Sequence, residues 1–150
     1  MAYQGVFRAR NHKKYKGDPT KIIYRSRWEL KLMTHLDAHP DVIEWSSEEI
    51  VIPYRSPIDG RMHRYFVDFY VKKRNVQGQV ESVLIEVKPL AQTKPPAVTI
   101  TKGQKPTKRY INEVMTWGVN EAKWKAATEY CKDRGWKFII MTEKELGVTF

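Results

Sequence analysis

Asp68, Glu86 and Lys88 are the residues whose types and spacing could do chemistry. Asp68 lies inside the run Tyr65-Phe66-Val67-Asp68-Phe69-Tyr70-Val71, and the other two close the run Val83-Leu84-Ile85-Glu86-Val87-Lys88. Both runs are rich in β-branched and aromatic residues, the composition of strands. Each is apolar on both faces, which suits a covered central strand. Side chains two apart on a strand share a face, so Glu86 and Lys88 point the same way. A carboxylate with apolar neighbours on both sides is costly to bury unless it is paired or bound to a metal. Two acids and an ammonium on adjacent strands are the groups of a divalent-cation site that cuts a phosphodiester bond. The same residues could instead be a strand-end charge and a cross-strand ion pair at a sheet rim. The combination D-x(17)-E-x-K in this apolar setting favours the first reading.

The surrounding elements are legible in chain order. Ser26-Arg27-Trp28-Glu29 has the form of a capping box and opens a helix that ends near Asp37 to Pro40. Glu29, Leu32, Met33 and Leu36 share one face of it, so Glu29 faces the sheet. Glu29 either returns a hydrogen bond to the helix start or adds a third carboxylate to the Asp68/Glu86 site, and both can hold. A first strand is expected over 49–54, a turn at Pro57-Ile58-Asp59-Gly60, and a second strand from about Met62 to Lys73 that pairs with it as a hairpin. The third strand stops at Lys88-Pro89, because proline cannot donate to a ladder. His63 reads as a surface histidine, with no second His or Cys at metal-ligand spacing. Glu48 and Glu49 read as solvated strand-entry charges. A helical stretch over 107–116 is expected to break near Trp117-Gly118, with Asn120 capping a second helix that runs to Arg134 and stops at Gly135. Trp124, Ala127 and Cys131 share its buried face, with Cys131 a small hydrophobe. Val98-Thr99-Ile100 adds a short extended piece, 136–141 is a strand, and Thr142-Glu143-Lys144-Glu145 opens a last helix. A strand-helix-strand crossover implies a parallel pair within a mixed sheet.

The 150 residues suit a single domain, 1–150, able to bury a core without disulfides. There are 27 Lys and Arg against 17 Asp and Glu, a net charge of +10, which points to a polyanionic partner, nucleic acid first. No apolar run reaches the ~20 residues that span a bilayer, the first residues lack a signal-peptide core, and Cys131 is the one cysteine. These features lead to the expectation of a soluble protein of a reducing compartment that does not engage membranes. The positive charge is concentrated in two segments. The arm 1–17 holds Arg8 and Arg10 and has no acidic residue; Tyr3, Phe7 and Tyr15 hint that part of it packs. The loop 89–109 holds Lys94, Lys102, Lys105, Lys108 and Arg109 and also lacks acids. It follows directly on Lys88 and would rim the site as a DNA-contacting lip. Asn120 and Lys123, at the expected start of the next helix, are further candidates for phosphate contact.

Helix-Glu29, Val67-Asp68 and Glu86-Val87-Lys88 in an αβββαβ order resemble the PD-(D/E)XK nuclease superfamily. That implies a restriction-endonuclease-like α/β fold, a mixed sheet flanked by helices. Val67 stands where the superfamily signature has proline. Tyr24-Arg25-Ser26-Arg27-Trp28-Glu29 and Tyr65-Phe66-Val67-Asp68-Phe69 are similar to the endonuclease subunit of heteromeric transposases. Three longer blocks, 47–54, 59–66 and 135–138, resemble the head-completion nucleases of large contractile-tailed phages. The resemblance covers nearly the whole chain. It implies a Mg²⁺-dependent DNA endonuclease, with Mn²⁺ as a substitute. Asp68, Glu86 and the Val87 carbonyl would hold metal, Glu29 a second ion or its water, and Lys88 would align the attacking water. It also implies work on packaged DNA ends before the neck and tail join, in the host cytoplasm during assembly or in the virion head, with capsid, portal or neck proteins as partners. Homodimerisation is one way for a small nuclease to cut both strands. Two other functions fit the same residues: a non-catalytic DNA-binding component of the portal or neck, and a junction-resolving or transposition nuclease.

Overall fold

The structure, a computed structural model, describes residues 4–98 and 103–148. Tyr3, Lys102 and the Thr99-Ile100 part of the expected extended piece lie outside the described residues.

A mixed four-stranded sheet carries the fold. Its strands are β3 (Val42–Ser47), β6 (Phe69–Arg74), β7 (Val80–Val87) and β8 (Lys137–Met141), in that order. The first three are antiparallel; β7 and β8 are parallel, with Val83 opposite Lys137 and Val87 opposite Met141. The expected parallel pair is therefore present, and α2 (Lys108–Arg134) makes its crossover. Alternation along the strands divides the core into two layers. Phe69, Val71, Val83 and Ile85 face α1 (Arg27–Ala38) and its buried Leu32, Met33 and Leu36, with Trp45 fully enclosed among them. Tyr70 and Leu84 face the opposite layer, formed by Trp124, Ala127 and Cys131 of α2 and by the hairpin β4 (Val51–Arg55) and β5 (Met62–Phe66). This is the expected restriction-endonuclease-like α/β architecture. Among the described residues no helix is long and apolar enough to cross a membrane.

Three boundaries differ from the sequence reading. The strand expected over 62–73 is two strands. Met62–Phe66 pairs with β4 in its own hairpin, and Phe69–Arg74 belongs to the main sheet. The break falls on Val67 and Asp68, so the chain changes sheets at the acid. The first strand of the main sheet is β3, upstream of the one expected over 49–54. Finally, α2 is continuous through Gly118. Thr107, not Asn120, is its N-cap, its side chain accepting from the Tyr110 N–H at 3.1 Å. Trp117, Asn120, Trp124, Ala127 and Cys131 recur every three or four residues along one buried or half-buried stripe. Burial along that stripe outweighs the roughly 1 kcal/mol that a mid-helix glycine costs. Gly135 ends the helix as expected, in the left-handed region at φ 72°.

The basic arm is fastened rather than loose. Gly5–Val6 (β1) pairs with Ile23–Tyr24 (β2), and Phe7, Ala9 and Tyr15 are buried in the α1 layer. Asp37, buried in the last turn of α1, accepts the backbone N–H groups of Arg10 at 2.9 Å and Asn11 at 3.2 Å. A carboxylate opposes the dipole at a helix C-terminus; here it is retained by those two donors, while the Lys14 ammonium donates to the Asp37 and His39 carbonyls at 3.1 and 2.7 Å. Asp37→Ala should free the arm and cost about 2–3 kcal/mol, the worth of hydrogen bonds to a buried charge. Chemical denaturation should read that loss as a lower midpoint. An unchanged midpoint would mean the arm contributes nothing to the fold.

Candidate active site

The β6–β7 register places Phe69 opposite Ile85. One step further along, at the sheet's end, Asp68 stands opposite Glu86. Asp68 Oδ2 accepts the Val87 backbone N–H at 2.8 Å, so the acid replaces a ladder partner where β6 begins. The two carboxyl groups lie close enough for each charge to disfavour the other's ionised form. Burial first, and the Glu86 charge second, hold the Asp68 carboxyl well above its ordinary range. Glu86 is buried, and its Oε2 accepts from the Tyr65 hydroxyl at 2.6 Å and the Trp124 indole N–H at 2.8 Å. Both donors come from the α2 layer, one from β5 and one from the helix. Burial and the adjacent Glu86 push the Tyr65 phenol far up, so it remains a donor.

Lys88 extends β7 by one residue. Its backbone N–H donates to the Met141 carbonyl at 2.9 Å, and Pro89 then ends the strand. Alternation puts its half-buried side chain on the face of Glu86. Among the described residues its ammonium forms no ion pair.

Glu29 approaches from the other layer. Ser26 caps α1, its Oγ accepting from the Glu29 N–H at 3.1 Å, as the capping-box reading expects. The Glu29 carboxylate takes the Arg25 N–H at 3.4 Å and is half-buried, and burial raises its pKa. Its charge reaches Asp68 and helps to raise that acid. Yet among the described residues no three His, Cys, Asp or Glu side chains are gathered as ligands of one ion. Asp68 and Glu86 converge, and the Glu29 charge acts on Asp68 from the other layer.

Three contributors escaped the sequence reading. Tyr65 and Trp124 looked like core aromatics, and nothing in their spacing marks them as donors to Glu86. Glu48, expected as a solvated strand-entry charge, is among the described residues the one non-glycine with a positive φ, 55°. Such backbone strain persists where the surroundings enforce it. Here the Glu48 N–H donates to the Asp68 carbonyl at 3.1 Å, and Arg25 grips its carboxylate with Nε and Nη2, both at 3.2 Å. Arg25 also lies near Glu29 and Asp68 electrostatically, so it is a cation beside the acidic group.

The remaining candidates are spread around this end of the sheet and beyond it. Lys94, Lys105, Lys108 and Arg109 are exposed on the loop and the start of α2. The Lys123 ammonium sits over the Tyr65 ring at 5.5 Å and the Tyr54 ring at 5.8 Å, one residue from Trp124. Asn120 is buried mid-helix and caps nothing. Arg8 and Arg10 are exposed on the fastened arm, on the α1 side. His63 is exposed and bonded to Asp59 at 2.8 Å, and Cys131 is buried, both as expected.

Residues 39–143 match the family described as TnsA-like endonuclease N terminal. The chain belongs to that family, as the resemblance of its motifs implied. It is also 43% identical over 146 residues to the head completion nuclease of Enterobacteria phage T4, an alignment covering 97% of this chain and 95% of that protein.

The residues present fit a hard divalent cation. Two adjacent carboxyl groups at one end of the sheet are an oxygen donor set whose mutual repulsion bound positive charge would relieve. Asp68 and Glu86 would hold the ion, with the Val87 carbonyl beside them.

Proposed function

We propose that the chain is a Mg²⁺-dependent DNA endonuclease of phage head completion, trimming packaged DNA ends before neck and tail attachment. The observation that carries the reading is the Asp68–Glu86 carboxyl pair with Lys88 on the same strand face, in a TnsA-like endonuclease fold. The similarity to the T4 protein supports the biological setting. Mn²⁺ would replace Mg²⁺, since both take oxygen ligands.

Each side chain has work to do. Asp68 and Glu86 would hold the ion, and the Tyr65 and Trp124 donors fix the orientation of Glu86. Glu29 would orient water. The bound ion supplies charge neutralisation at the phosphate and a more acidic water. Lys88 would align an attacking water and stabilise the charge that develops on the scissile phosphate. The net charge of +10 attracts DNA to the acidic site, and Lys94, Lys105, Lys108 and Arg109 take phosphates on either side of the cut. Portal or neck proteins and a second copy for paired cuts belong to the same proposal.

The test is cleavage of duplex, nicked, branched and single-stranded DNA by the purified protein, with Mg²⁺ and with chelator. Cutting that needs Mg²⁺ is the expected result. No cutting of any substrate, or equal cutting in chelator, would overturn the reading.

A further inference from the structure

A cavity of about 960 Å³ opens between α2 and the 3₁₀ turn Leu90–Thr93, which starts two residues after Lys88. Its size is that of a ligand pocket rather than a packing defect. The half-buried Trp117 ring lines it, as do Asn112 and Thr116 on successive positions of the same helix face. Asn120 also lines it, 7% exposed. A side-chain amide at a cavity wall can both donate and accept a hydrogen bond. Lys94 and Arg109 line the same cavity; Arg109 shares its charge with Glu113 at 3.1 Å. Asn120 is one helical turn, about 6 Å of rise, before Trp124, which holds Glu86. A second hollow, which shares Asn112, Thr116 and Asn120 with the first, is lined also by Lys123, whose ammonium sits over Tyr65.

We infer that this cavity receives an unpaired nucleobase of the DNA strand that passes Lys88, so that the substrate is DNA with a single-stranded end or branch next to the cut. The inference deepens the nuclease reading and rests on it. A ring for stacking, an amide able both to donate and accept, and cations for the flanking phosphates are what a splayed base requires. A base inside a duplex is stacked on its neighbours and presents no free face to Trp117.

Fluorescence anisotropy tests this with Ca²⁺ in place of Mg²⁺, comparing a blunt duplex with the same duplex carrying a single-stranded extension. Stacking of one base predicts that the extended DNA binds about tenfold or more tighter. Trp117→Ala and Asn112→Asp should bring the two affinities together, and Trp117→Phe should restore the preference. Asn112 is exposed, so its variant is not a packing change. Equal affinities in the wild type, or a preference that survives both variants, would overturn the cavity assignment and leave the nuclease reading standing. If instead the wild type cuts nothing in Mg²⁺, the nuclease reading fails while the anisotropy preference still reports the cavity.

Discussion

Lys88→Ala should lower the rate of DNA cleavage in Mg²⁺ by about 10²–10³, the effect of removing one preorganised charge from a developing oxyanion. Stability should change by no more than ~0.5 kcal/mol, as for a surface substitution outside any network. The physical reason is the ammonium's setting. Among the described residues it forms no ion pair, so no folded-state partner is lost. The backbone bond from Lys88 N–H to Met141 is kept by any residue but proline. Single-turnover cleavage and thermal unfolding on the same preparation check both halves. Wild-type cutting by the variant would remove Lys88 from the mechanism. A large loss of stability would recast it as a structural residue.

Asp68→Asn has the other large effect, and here activity and stability should move in opposite directions. Cleavage should fall by at least about 10², because one of two acidic ligands becomes neutral. Stability without a divalent cation should rise. Folding raises the Asp68 pKa, chiefly through burial and then through Glu86. Between the ordinary carboxyl pKa and the raised one, the folded chain binds more protons than the unfolded chain. Stability of the wild type in chelator therefore falls as pH rises through that window and stays lowered above it. Asparagine removes the penalty while its amide oxygen still accepts the Val87 N–H and its NH₂ can donate to Glu86. Each kcal/mol of relief moves the melting temperature by ~2–4 °C in a chain of this size. The variant should melt higher than the wild type in chelator at neutral pH, and the gap should close toward acid. Mg²⁺ should stabilise the wild type and not the variant. A variant that melts lower at every pH, or that gains as much from Mg²⁺, would mean that no metal relieves this pair.

The opposition between the two properties follows from the site's position. It is built from acids at the end of a buried sheet, where the fold would be more stable with neutral groups, and such conflicts gather at functional sites. The strained backbone of Glu48 is a second instance. Its N–H is bonded to Asp68 and its carboxylate to Arg25, so the same strain that costs stability holds the acid in place.

Much of this was legible in the chain. Strand alternation fixed that Glu86 and Lys88 share a face, because the two-residue period is local. The capping residues Ser26 and Gly135 and the parallel crossover through α2 are likewise short-range patterns, and they appear where expected. Other features were not legible, for reasons that are equally physical. The break between β5 and β6 leaves no mark on an apolar run, since both pieces are strands and only their partners differ. Gly118 looked like a helix stop until burial of the stripe from Trp117 to Cys131 outweighed it.

The amino-acid sequence by itself determined the chemistry available: which acids, which ammonium, on which strands, and with how much positive charge around them. Tertiary structure alone decided who holds Glu86, and that a hollow lined by Trp117 and Asn120 opens beside the turn that follows Lys88. Those outcomes join residues 21 and 38 positions apart and residues on opposite layers of the sheet. No local period encodes such meetings; they arise when two helices and a hairpin compete for the same apolar faces.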